Sequence, residues 1–144
     1  MAYDSTSVLV SRSQEAIREL IYAHKGTGVC IISQRPREGF EAMVTIQEMP
    51  YRIRVMATCN ELDKYKRKMS DKDKAQEERR VWRVLYWHLK AMFEAADSGV
   101  IDIRDVIMPY VVTRDGRTLS EHLVPRMAEI MVSDTSKLLT TGGE

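Results

Sequence analysis

From Glu77 to Asp97 the chain reads EERRVWRVLYWHLKAMFEAAD, and no other segment is as long, as apolar and as free of Gly and Pro. At 100° per residue, Val81, Leu85, Leu89, Met92 and Ala96 fall on one line, with Trp82, Tyr86 and Phe93 on one flank and Val84, Ala91 and Ala95 on the other. That is an apolar arc of roughly 220°, far wider than the stripe of a surface helix. The pattern predicts a central helix, covered on more than half its circumference, around which the rest of the chain packs.

The remaining arc carries Arg79, Arg80, Arg83, Lys90 and Glu94, with Trp87 in their midst about one turn from both Arg83 and Lys90. A tryptophan on the polar side of a helix has two readings. Another element or a second subunit covers it, or it stands in a basic strip and stacks on a nucleotide base.

At 144 residues the chain suits one domain, expected over residues 7–132 with loose ends at 1–6 and 133–144. Lys plus Arg (22) and Asp plus Glu (21) nearly cancel, so binding to nucleic acid must come from a local patch and not from a global field. Cys30 and Cys59 lie in or beside apolar, strand-like sequence, which predicts small buried thiols in a reducing compartment. No secretory leader pattern opens the chain and no apolar run reaches about 18 residues. A soluble intracellular protein without membrane contact is expected.

Ser7 to Val10 reads as a short strand or an extended lead-in, after which Ser11 with Gln14 has capping-box spacing. Ala16, Ile17, Leu20 and Ile21 continue a first helix that ends at Gly26, and His24 and Lys25 suit the negative end of its dipole. Gly28 to Ser33 predicts a strand, and Arg35 to Gly39 a polar loop. Ala42 to Glu48 and Tyr51 to Ala57, broken at Met49-Pro50, predict a hairpin. Tyr51, Ile53 and Val55 alternate with Arg52, Arg54 and Met56, which leaves Arg52 and Arg54 on the open face of a three-stranded sheet.

Asn60 to Lys74 is dense in charge of both signs and reads as a mobile surface linker, with Lys64, Lys66, Arg67 and Lys68 as a small basic cluster. Ser70 with Asp73 is positioned to cap the long helix, and Gly99 to stop it. Asp102 can cap a short helix ended by Pro109, and Tyr110 to Thr113 reads as a brief extended piece. Past the Arg114-Asp115-Gly116-Arg117 turn, Thr118 and Glu121 form a capping box for a last helix burying Leu119, Leu123, Met127 and Ile130, kinked or displaced by Pro125. The fold class is therefore α+β: a small antiparallel sheet, a hairpin plus a third strand, packed against a long central helix and two or three shorter ones.

Catalytic chemistry finds no foothold in the pattern. His24, His88 and His122 fall on three different helices, without a Cys, His or Asp at ligand spacing. His88, at the edge of the apolar arc, is expected as a hydrogen-bonded core residue. Phosphate-binding glycine motifs and the nucleophile elbow are absent. Glu121 beside His122 makes a poor acid/base pair, since adjacent helical residues point about 100° apart. The expectation is a non-enzyme with no cofactor, no metal and no catalytic residue.

One wider resemblance is visible. Arg80, Trp82, Arg83, Leu85, Lys90, Glu94, Ser98 and Gly99, followed by Tyr110, Val111, Val112, Asp115, Gly116, Arg117, Thr118 and Glu121, carry a pattern of R-x-W-R-x-L helix, S-G stop and D-G-R-T turn. The hairpin from Met43 to Val55 adds an arginine-bearing strand. The chain resembles an uncharacterised bacteriophage and prophage protein family, from roughly Ser11 to Ile130, departing from it at Tyr86, Trp87, His88 and Arg114. The resemblance implies a phage origin and a location in the host cytoplasm, and no particular mechanism.

Three functions fit. The first is a non-catalytic phage accessory protein that binds nucleic acid or a nucleotide through Arg52, Arg54, Arg79, Arg80, Arg83 and Trp87. The second is a host-defence inhibitor that uses the same arginines on a host protein complex or a signal nucleotide. The third is an oligomeric structural or adaptor protein anchored by Trp87.

Overall fold

The computed structural model describes residues 3–131; the expected C-terminal tail at 133–144 lies outside them. The order is α1 (Val10–Ala23), β1 (Gly26–Gln34), β2 (Arg37–Ile46), β3 (Met49–Thr58), α2 (Asp71–Asp97), α3 (Ile103–Ile107), α4 (Leu119–Leu123) and α5 (Met127–Ile130). The three strands form one antiparallel meander in the order β1-β2-β3. Both long helices lie against one face of it, as the α+β reading predicts.

Alternation along β2 and β3 decides which face is buried. Phe40, Ala42 and Val44 pair with Val55, Ile53 and Tyr51 on the inner face, and meet Ile17 and Ile21 of α1 and Val81, Trp82, Leu85, Leu89 and Phe93 of α2 in one core. Leu85 is 3% exposed and Trp82 1%. The covered arc of α2 is narrower than its sequence predicts, because Val84 and Ala91 face solvent. A sheet with one helix beside it covers a single side of α2, and small apolar residues on the other side carry no obligation to be buried.

Several boundaries differ from the sequence reading. Helix α1 starts at Val10 with Leu9 at the N-cap, so Ser11 lies inside the helix instead of capping it. The chain leaves α1 through Lys25, in a left-handed conformation (φ 64°), and Gly26 already belongs to β1. Only Arg35 and Pro36, joined by a cis peptide bond, separate β1 from β2. Gly39 sits in β2, where an added Cβ would lie 2.1 Å from the Val55 carbonyl oxygen, so glycine there permits close strand approach. The hairpin turns at Gln47 and Glu48, both at positive φ (51° and 67°), the two-residue geometry whose twist matches the strands. Met49 and Pro50 are the first residues of β3, an edge strand, where proline is tolerated.

The C-terminal third closes the exposed edge of β3. Val111 bridges Ile53, and the Val112 N–H donates to the Arg52 carbonyl at 2.8 Å. The last helix does not complete the cover. Pro125 lies in a 3-10 turn, Val124–Arg126, that splits it into α4 and α5, since proline can neither donate the helical bond nor accommodate the preceding turn. Leu123, Met127 and Ile130 remain exposed. Of the cysteines, Cys59 is buried and Cys30 exposed, and both are free thiols.

Candidate nucleic-acid interface

The six arginine and tryptophan candidates fall into two groups. Arg52 and Arg54 stand side by side on the outer face of β3, opposite Met43 and Glu41 of β2. Both are committed to Glu41: Arg52 donates through Nε and Nη2 at 3.0 and 3.1 Å, and Arg54 through Nε at 2.8 Å. Burial works to raise the Glu41 pKa, but the bonds from Arg54 and Arg52 outweigh it and hold it below the usual carboxylate value. Arg54 also donates to the Gly116 carbonyl at 2.8 Å, which ties the sheet to the Asp115–Arg117 turn. These guanidiniums staple the fold more than they present charge.

The second group runs along α2. Ser70 caps the helix by accepting from Asp73 N–H at 3.2 Å, as its spacing predicts. One turn on, Glu77 is buried and receives Arg80 through Nε and Nη2 at 2.6 and 2.9 Å, together with the Asn60 N–H. Desolvation would raise the Glu77 pKa, yet the Arg80 hydrogen bonds and the Asn60 N–H keep it lowered. Arg80 is thus part of the joint between α2 and the preceding loop. Arg79 donates through Nη2 to the Gln76 side-chain oxygen Oε1, and the Gln76 side-chain amide Nε2 donates in turn to the Asp4 and Thr6 carbonyls, both at 3.0 Å. Residues 3–6 therefore lie docked along the helix as a turn.

Farther along the same line the side chains become available. Trp87 is 38% exposed. The Lys90 ammonium lies 4.7 Å from its ring centroid, and the Arg83 guanidinium lies 5.7 Å from it and 4.4 Å from that of Tyr86. Among the described residues Arg83 pairs with no carboxylate, while Lys90 has only Glu94 at 3.9 Å. Tyr3 completes the group, its ring nearly parallel to that of Trp87.

The segment expected as a surface linker is a surface loop with hydrogen bonds of its own, set beside the start of α2. Asp63 accepts from the Tyr65 and Arg67 N–H groups at 2.8 and 2.9 Å, and Leu62 bridges Lys68. The fold of the loop holds Tyr65 exposed with the Lys64 ammonium 5.1 Å and the Arg67 guanidinium 4.9 Å from its ring centroid. Between the loop and the start of α2 opens a cleft of about 630 Å³, with Tyr65 and Arg67 on one wall and Gln76 and Arg80 on the other. Asp4, beside Tyr3, lines it too. The loop cations and Trp87 stand out in the sequence, and Tyr3 and Tyr65 do not, because lone tyrosines in polar segments carry no periodic signal.

His24 stands at the C-terminal end of α1 as its position predicts, whereas His88 differs from expectation. His88 is exposed, not in the core, and its Nε2 meets the Tyr110 hydroxyl at 2.7 Å. His122 Nε2 lies 3.0 Å from both Thr113 Oγ1 and Asp115 Oδ1, a cluster unmarked in the sequence because its members straddle a turn. A nucleophile relay needs hydroxyl and carboxylate on opposite nitrogens of the ring. Here both address one nitrogen, the arrangement of a clasp on the turn. Among the described residues no group of three or more His, Cys, Asp or Glu is placed to hold a metal ion, and no helix is long and apolar enough to cross a membrane.

No family model, curated protein or solved structure matches this chain.

Proposed function

We infer that the chain is a non-catalytic binding protein that receives nucleic acid or a nucleotide ligand on the strip formed by Tyr65, Tyr3, Arg83, Trp87 and Lys90. Read with the resemblance to phage proteins, the proposed setting is an infected cell, where the chain would serve as an accessory factor. The observation that carries the reading is the exposure of Trp87 with two cations against its ring. An indole face beside the Arg83 guanidinium, which pairs with no carboxylate among the described residues, and the Lys90 ammonium, which has only Glu94 at 3.9 Å, matches both halves of a nucleotide, the base by stacking and the phosphate by ion pairing. With a net charge of +1, this local density is what distinguishes the strip from the rest of the surface. Titration of a labelled single-stranded oligonucleotide at low salt, on wild type and on Trp87→Ala, tests it. Loss of roughly 1 to 3 kcal/mol on removing the ring is expected.

A protein partner, either a host complex or a second copy, is favoured by a different observation. Leu123, Val124, Met127 and Ile130 form an exposed apolar run at the C-terminal end of the described chain. Light scattering on the ligand-free protein tests that second reading, since a self-associating surface raises the mass before any ligand is added.

A further inference from the structure

The sheet has two edges, and the fold treats them differently. Along β3 the edge is closed, by the bridge from Ile53 to Val111 and the Val112 N–H on the Arg52 carbonyl. Strand β1 has β2 on one side only, and among the described residues no other element hydrogen-bonds along its far side. An open edge is a template for another strand, and folded proteins usually guard one with charge, proline or shortness. Here β1 is nine residues long, and its sequence GTGVCIISQ has neither a charge nor a proline in a chain that is 30% charged. Its one guard is the bulge between Gly26 and Gly28, which leaves Gly28 to Gln34 regular. Beyond the bulge, Val29 and Ile31 stand opposite Ala42 and Phe40 on the inner face, partly buried at the margin of the core. Cys30 stands opposite Glu41 on the outer face and is exposed.

We propose that the free edge of β1 pairs antiparallel with β1 of a second copy of this chain, centred on Cys30, so that two three-stranded sheets join into one of six. Strand addition supplies affinity through the main chain, and the side chains choose the partner. An uncharged strand meets its own copy with no like charges opposed. A two-fold axis through Cys30 sets Val29 against Ile31 of the second copy, a β-branched pair that carries both cores across the seam. The same register sets Gly28 against Ile32 of the second copy, and the space where a Cβ would stand on Gly28 is open, which leaves room for the larger side chain. An axis through Ile31 would instead oppose Val29 to Ser33, whose hydroxyl already donates to the buried Glu38 at 3.0 Å. This edge is distinct from the α2 strip and from the exposed apolar run of α4 and α5.

The test combines solution mass with a thiol trap on the full chain. Light scattering in reducing buffer should give twice the monomer mass for wild type. Cys30→Lys sets two ammonium groups face to face on the axis, and should give the monomer mass with an unchanged circular dichroism spectrum. Brief oxidation with diamide should link wild type into a disulfide dimer, since directly opposed strand positions, with Cα atoms about 4.5 to 5.5 Å apart, lie within disulfide reach. Cys30→Ser should keep the dimer mass and lose the link, because Cys59 is buried. Moving the thiol along the same face, with Cys30→Ser and Ile32→Cys together, should leave the dimer unlinked, because the two positions 32 are then four residues apart along the strands, roughly 13 Å. Monomeric wild type overturns the pairing. A dimer that survives Cys30→Lys overturns it too, as does linkage of the Ile32→Cys variant without linkage of wild type. Should Cys30→Lys lose its spectrum, the two linkage results decide alone.

Discussion

His24 Nε2 lies 2.8 Å from Asp97 Oδ2, joining the C-terminal ends of α1 and α2, and the imidazole stacks on Phe93 with centroids 4.1 Å apart. Its Nδ1 meets the Leu20 carbonyl at 2.7 Å, so both nitrogens face acceptors, which suits the protonated ring. Burial works to lower its pKa, but the bonds to Asp97 and Leu20 outweigh it and leave the value raised above 6.5. A raised folded pKa contributes stability that is full below the unfolded value and is lost as pH rises through the folded one. Melting temperature should therefore fall with rising pH from about 6.5 upward, and His24→Gln should flatten that slope.

The two faces of α2 should respond differently to truncation. Leu85→Ala removes a side chain from the packed core and should cost about 2 to 5 kcal/mol in denaturant unfolding. Val84→Ala, one residue away and 38% exposed, should shift stability by about 0.5 kcal/mol or less. Similar costs at the two positions would mean that α2 is not covered on one side only.

Arg80 and Arg83 are one turn apart and should part in function. Arg80→Gln leaves the buried Glu77 carboxylate without its cation, and a broken buried pair costs several kcal/mol when fully enclosed; about 2 kcal/mol is expected here. Arg83→Gln should leave the melting temperature within a degree or two, on the order of other surface changes, while lowering affinity for single strands.

The Asp115–Glu121 block is a structural clasp. Gly116 stands at φ 84° with open space where a Cβ would point, so Gly116→Val should cost roughly 1 to 2 kcal/mol through the backbone alone. Thr118 accepts from the Glu121 N–H at 3.2 Å as the N-cap of α4, and Thr118→Val should cost about 1 kcal/mol. Loss of oligonucleotide binding by either variant at an unchanged melting temperature would make the block a binding site.

What the sequence made legible follows from periodicity. The long run of α2 and the alternation of Tyr51 to Met56 each repeat often enough to point one way, and the sheet, the central helix and the Ser70 and Thr118 caps were readable. Turns were not. Pro50 drew the hairpin break toward itself, because a proline signals punctuation in sequence but is tolerated on the edge strand that β3 turns out to be. The last helix looked amphipathic, and only its fracture at Pro125 shows why Met127 and Ile130 stay exposed. At the site, Trp87 stood out by its helical phase. Whether Arg52 and Arg54 were free or committed depended on Glu41, brought beside them by strand pairing, whereas Arg80 pairs with Glu77 three residues before it on the same helix, a spacing already present in the sequence.

The central claim, that the α2 strip binds the backbone and bases of single-stranded nucleic acid, is tested most directly by the salt dependence of oligonucleotide affinity. Wild type should show log K falling linearly with log salt, with a slope of about −0.7 for each phosphate neutralised on a single strand. Arg83→Gln and Lys90→Gln should each flatten that slope by about 0.7, and Trp87→Ala should weaken binding without changing it. Absence of wild-type binding at low salt, or a slope untouched by Arg83→Gln and Lys90→Gln, would contradict the account.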